Sequence, residues 1–166
     1  MYHTQEKWSQ RLSDPIICNR RDAWLGEGYY FWDEQQDARI WGRTSKRATG
    51  HFEIYSAGLD CTDVLNTVFD EAQYLWWKNE IERVAQILQL KSSGAPKPTK
   101  WQVYQYIRSK GIWEAANVTG ILFEDLTDNP ERSRIDGFNY KKRTQLVAFT
   151  KRIVKDWSFL LVEKCR

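Results

Sequence analysis

The chain is poor in the residues from which reactive centres are most often built. Only two histidines are present, His3 and His51, and no HExxH pattern occurs, so a multi-histidine metal site is not available. The three cysteines, Cys18, Cys61 and Cys165, lie far apart with no CxxC pair. That spacing argues against a zinc knuckle and a disulfide framework, and the odd count points to free thiols in a reducing compartment. Neither a GxxxxGK[ST] phosphate loop nor a GxSxG elbow is found, which removes two large enzyme classes. No apolar run approaches the ~18 residues of a membrane span. The N-terminus MYHTQEKWSQRL also lacks the basic-then-apolar order of a secretory signal, so a soluble cytoplasmic protein with no membrane partner is expected. Charge of one sign is lacking too: 25 basic and 22 acidic residues leave +3, too little for the footprint of a dedicated nucleic-acid binder.

Aromatic residues are abundant: nine Trp, eight Tyr and seven Phe make up 14% of 166 residues. With 42% hydrophobic and 28% charged residues the chain has the composition of one globular domain, residues 1–166, large enough for a substantial core.

Apolar residues at i, i+3, i+4 spacing run from Thr62 to Leu90, predicting one long helix or two consecutive ones with Thr62 or Asp63 as N-cap. A shorter repeat covers Trp101–Lys110, with Gly111 placed to accept positive φ at the helix end. Between them, 92–99 is rich in turn formers and reads as a loop within the domain. Short aromatic and β-branched runs predict five strands, at Gly28–Trp32, His51–Tyr55, Gly120–Leu126, Gln145–Thr150 and Trp157–Glu163, with Met1–Thr4 a sixth. Strands at both ends and helices in the middle indicate an α+β domain whose sheet joins the two ends of the chain.

The segment Trp24–Gly42, WLGEGYYFWDEQQDARIWG, is the most informative. Gly26 and Gly28 permit a close backbone approach into an aromatic strand that then opens a helix, an arrangement suited to clamping a planar ligand. Taken alone, these rings also fit the two faces of an ordinary sheet. Tyr2-His3-Thr4 followed by Gly26-Glu27-Gly28-Tyr29-Tyr30-Phe31, then Ala38 and Trp41, resembles the ADP-ribosyltransferase superfamily, in its poly(ADP-ribose) polymerase and diphtheria-toxin-like branch. The WLGxGxYFW segment, a Gly58-Leu59-Asp60-Cys61 stretch opening a helix, and a late glutamine-led strand are similar to small bacterial ADP-ribosyltransferase-like proteins.

The resemblance implies a split β-sheet with helices inserted in the middle of the chain, binding NAD in the split. It also implies a catalytic triad of His3, Tyr30 and Gln145. His3 would bond a ribose hydroxyl, the Thr4 backbone would meet the nicotinamide amide, and Tyr30 and Trp41 would bracket the nicotinamide ring. Gly28 would let the backbone approach, and the guanidinium forks of Arg20 and Arg21 suit the diphosphate. Gln145 stands where the family carries glutamate. An amide accepts a hydrogen bond from the ribose but cannot offset the positive charge that develops as nicotinamide leaves. Three consequences stay open: slower or single transfer, charge supplied by Glu124 or Asp125, or binding without turnover. Thr4, in place of the family's glycine, is a second departure.

The implied activity is transfer of one ADP-ribose to a protein or nucleic-acid acceptor, as in a bacterial toxin or defence effector held by a neutralising antitoxin or immunity protein. Hydrolysis of NAD by water and non-catalytic binding of NAD, ADP-ribose or nucleic acid are the alternatives. Glu131, Arg132 and Arg134 are candidates for acceptor selection. The charge runs Arg43–Arg47 and Lys141–Arg143 read as solvated faces. Trp76-Trp77 reads as buried core rather than a partner surface.

Overall fold

The computed structural model describes residues 1–46, 48–91, 96–125 and 142–165. It is an α+β fold with one mixed sheet of seven strands. In chain order the elements are β1 (Tyr2–Glu6), β2 (Tyr29–Trp32), α1 (Gln35–Ser45), β3 (His51–Leu59), β4 (Val64–Asn66), α2 (Glu71–Lys91), α3 (Lys100–Ser109), α4 (Ile112–Ala115), β5 (Gly120–Asp125), β6 (Arg143–Ala148) and β7 (Val154–Lys164). The strands lie in the order β4-β5-β6-β2-β1-β3-β7. Only β4 and β5 run parallel, and every other neighbouring pair is antiparallel.

The centre of the sheet is its thinnest point. β1 pairs with β2 at the single register position Tyr2↔Trp32, whereas β1 pairs with β3 over five positions and β2 with β6 over four. Past Tyr2 the two strands are no longer laddered, and their backbone groups are left to find other partners.

Three apolar clusters hold the layers. Helices α2, α3 and α4 cover β5, β6 and β2 through Val84, Tyr104, Ile107 and Trp113 packed on Ile121, Phe123 and Val147. Helix α1 covers β1 and β3 through Ala38, with Trp32, Phe52 and Ile54 beneath it. Phe31, Ala57, Leu146, Ala148 and Ile153 fill the opposite face. Gly42 makes the α1 contact possible, because a Cβ there would lie 2.3–2.6 Å from atoms of the Phe52 ring. Arg39 and Arg43 then pin the helix to Glu163 on β7 at 3.0 and 2.9 Å.

All six expected strands form, and α3 falls where the second helical repeat places it, closed by a Thr99–Gln102 capping box. Gly111 takes φ +59°. The first repeat differs in its beginning: no helix starts at Thr62 or Asp63, and Val64–Asn66 form β4 instead. Local side chains decide this. Asn66 Oδ1 accepts from the backbone N–H of Val68 and Phe69, turning the chain, and Asp70 Oδ1 accepts from Gln73 N, so the helix begins at Glu71. Nor does Gly58-Leu59-Asp60-Cys61 open a helix. Gly58 and Leu59 finish β3, and Asp60 Oδ1 closes a turn onto Thr62 N and Oγ1. Among the described residues no helix is long and apolar enough to cross a membrane. Trp77 is half-buried against the α2–α4 core, while Trp76 is 38% exposed.

Candidate functional site

Where β1 and β2 part, a cleft of about 660 Å³ opens. Its lining includes His3 and Thr4 from β1, Tyr30 and Trp32 from β2, Trp41 from α1, Asp125 from β5, and Arg143 and Gln145 from β6. His3, Tyr30, Trp41 and Gln145, the four positions carried by the family resemblance, thus line one cavity although the first and last are 142 residues apart in sequence.

His3 is held by the split itself. Strand alternation turns its ring away from Tyr2 and Thr4, between Phe31 and Trp157, each with its centroid 5.6 Å away. Its Nδ1 lies 3.0 Å from the carbonyl oxygen of Tyr30, bridging the two strands just where the ladder has stopped. A carbonyl only accepts, so the proton sits on Nδ1 and Nε2 carries a bare lone pair. Burial lowers the imidazole pKa to about 4, opposed in part by the Tyr30 bond and reinforced by the nearby Lys46 charge. The ring is neutral at pH 7. Among the described residues the buried Nε2 has no hydrogen-bond partner, although the ring itself packs on the Phe31 face of the sheet, opposite Tyr30 and Gln145.

Tyr30 is fixed at both ends. Its hydroxyl donates to the Gly26 carbonyl at 2.8 Å and accepts from Leu25 N at 3.0 Å, and its ring meets Phe123 edge-on at 6.4 Å. Burial raises the phenol pKa, so the side chain offers a flat neutral face. Trp41 lies 5.8 Å from Trp32, their planes inclined by 48°. Thr4 is buried, and its hydroxyl donates to Ala38 O at 3.0 Å.

Registers Trp32↔Gln145 and Phe123↔Gln145 put Gln145 on the same face as Tyr30, and the period of two puts Asp125 and Arg143 there as well. Glu124 falls on the other face and pairs with Lys142 at 2.6 Å. Asp125 is therefore the carboxylate that enters the cleft. The Gln145 amide nitrogen donates to Asp125 Oδ2 at 3.4 Å, leaving the amide oxygen to accept. Arg143 Nη2 stands 3.8 Å from the same oxygen, and its guanidinium lies 5.1 Å over the Trp32 ring.

The glycines serve packing. A Cβ on Gly28 would meet Val147 Cγ2 at 2.4 Å, so its close approach is to β6, and Gly28 does not line the cleft. Gly26, at φ +78°, presses against Tyr104, where a Cβ would be 2.8 Å away. The two arginines also part company. Arg20 lines the cleft but its guanidinium is forked onto Asp22, with Nε 2.9 Å from Oδ1. Arg21 lies outside it, 5.2 Å over the Trp101 ring.

Sequence reasoning missed four lining residues that bear on the chemistry: Trp24, Lys46, Lys100 and Arg143. Two of them sit in the runs read as solvated faces, a reading that Lys46 and Arg143 correct, since Lys46 is half-buried and the Arg143 side chain only 12% exposed. Arg143 was recoverable from its alternation with Gln145. Arg47, Lys141, Glu131, Arg132 and Arg134 lie outside the described residues. Comparison with protein-family models, with curated proteins and with solved structures gives no significant match.

Proposed function

We propose that this chain is an NAD-dependent ADP-ribosyltransferase that transfers one ADP-ribose to a macromolecular acceptor and releases nicotinamide. The observation that carries the reading is the convergence of His3, Tyr30, Trp41 and Gln145 on the cleft at the single-position β1–β2 junction. The neutral His3, with Nε2 bare, suits a ribose hydroxyl donor. Tyr30 and Trp41 supply aromatic faces for the positively charged nicotinamide ring.

Cleavage sends the electron pair of the glycosidic bond to the nicotinamide nitrogen, which becomes neutral, while positive charge builds on the ribose. The acceptor nucleophile then bonds to the anomeric carbon and gives its proton to solvent. Gln145 and Asp125 divide what one glutamate would do. The amide oxygen accepts from the ribose, and the carboxylate 3.4 Å from the amide nitrogen offsets the developing cation. Arg143 partly neutralises Asp125, which fits a slow, single transfer better than rapid chain elongation.

The test is incubation with NAD labelled in the adenylate part, offering protein, DNA and RNA separately. Label on one acceptor class supports transfer, and free ADP-ribose alone would convert the reading to hydrolysis. Intact NAD in every tube would remove catalysis altogether.

A further inference from the structure

The cleft's cations fall into two kinds. Arg20 is neutralised by Asp22, and Arg143 faces Asp125. Lys46 and Lys100 form no ion pair among the described residues, yet both line the cavity. Lys46 follows directly on α1, half-buried, with its ammonium 3.5 Å from the neutral Gln5 Oε1. Burial lowers its pKa, and the more distant Cys18 and Glu6 oppose that only in part, so the ammonium bears a desolvation cost with no ion pair beside it. Lys100 opens α3, with its ammonium over the face of Trp24, 4.9 Å from the ring centroid, and Asp22 acting on it from a distance; Trp24 itself is 46% exposed.

We propose that Lys46 and Lys100 form the anion site of this cleft and hold the diphosphate of a nucleoside diphosphate ligand, in place of Arg20 and Arg21. The proposal rests on the dinucleotide reading of the cavity and names the group that anchors the ligand there. Two cations not engaged in ion pairs match the two negative charges of a bridging diphosphate. A diphosphate at Lys46 restores the counter-charge that Gln5 cannot give. Drawing Lys100 toward the phosphates also releases the Trp24 face, leaving an exposed indole on which a base can stack. The ammonium ions act as point charges rather than planar forks, so the site grips phosphate oxygens without fixing one orientation. Arg20 keeps its fork on Asp22 and shapes the wall.

Calorimetric titration of the full chain with ADP, ADP-ribose and adenosine, at low and moderate salt, tests this. Lys46→Gln is expected to weaken ADP and ADP-ribose at least tenfold with adenosine affinity unchanged, and Lys100→Gln to weaken them severalfold. Each should flatten the salt dependence. Arg21→Gln, the same change of charge outside the cleft, should leave ADP binding within twofold. Because Lys46→Gln removes a half-buried charge that has no ion pair and bears a net desolvation cost, its ligand-free thermal midpoint should equal or exceed that of the parent, which separates lost binding from lost folding. Parent-like ADP affinity in both lysine variants, or no ADP binding by the parent, overturns the proposal. The transferase reading is judged separately by nicotinamide release from NAD. Lysine-dependent ADP binding without release would keep the anion site and dismiss the transferase, while release unaffected by Lys46→Gln would do the reverse.

Discussion

β1 brings to the cleft a neutral imidazole, whereas β5 and β6 bring a carboxylate, a guanidinium and an amide. The contrast follows from what covers each half of the sheet. His3 is sealed between Phe31 and Trp157 and bonded to one carbonyl, so burial is the larger influence and the ring stays uncharged. Asp125 is as buried as His3, at 6% against 5% exposed, yet it has Gln145 and Arg143 beside it. Equal burial thus leaves the two groups in different company, an aromatic enclosure for His3 and polar and cationic neighbours for Asp125. At the cleft, β1 supplies only a hydrogen-bonding ring, whereas β5 and β6 supply an ion pair as well.

The sharpest way to break this contrast is Asp125→Asn, which keeps the shape and removes the charge. Nicotinamide release should fall roughly 10²–10³-fold, the scale for losing one preorganised electrostatic contact to a transition state. An unchanged rate would mean that the charged half is structural only.

The neutral half is tested by pH. His3 titrates at about 4 in the folded chain, below the ordinary 6.5, so between these values the unfolded chain takes up a proton that the folded one refuses. Stability contributed by neutral His3 is complete above pH 6.5 and is lost as pH falls to 4, by up to about 3 kcal/mol. Urea unfolding at pH 7.5 and 4.5 should show the loss, and His3→Gln should abolish that component of the slope.

Two glycine substitutions compare the halves as scaffolds. Gly28→Ala crowds Val147 on one side and Gly42→Ala crowds Phe52 on the other. Each should cost ~2 kcal/mol and lower the melting temperature by roughly 4–8 °C in scanning calorimetry. The smallest effect expected is a gain. Gln145→Glu should raise nicotinamide release by about tenfold, and more so at higher pH, because a carboxyl beside Asp125 has its pKa raised by the like charge. Its pH–rate profile is the measurement, and a lower rate at every pH would show that the amide itself is required.

Much of the sheet was legible in the sequence because its strands are aromatic and β-branched runs bounded by turn residues. β4 was not, since three residues give no usable alternation and Val64 and Leu65 also fit the helical spacing that follows them. For the site, residue types such as His3 and Gln145 could be named from their motif, but which side chains share a face depends on register. Glu124 and Asp125 were equal candidates until pairing with β6 separated them. Lys46 was hidden in a charge run, for nothing in Arg43–Arg47 shows that α1 ends against the cavity. Ion pairing was equally invisible. Arg20 looked available because Asp22, two residues on, does not announce that it closes the fork.

The seat of α1 on Phe52 has a consequence for how this cleft can be altered. Gly42 follows Trp41 directly and precedes Lys46 by four residues, and its place against the Phe52 ring leaves no slack between helix and sheet. Trp41 and Lys46 therefore travel together: a change in the volume of residue 52 tilts the helix and carries an aromatic wall and a cation with it. Selection for altered ligand preference has an entry point at Phe52, which lies beneath α1 and does not itself line the cleft. Substitutions there would retune the cavity as a unit while every lining side chain kept its identity.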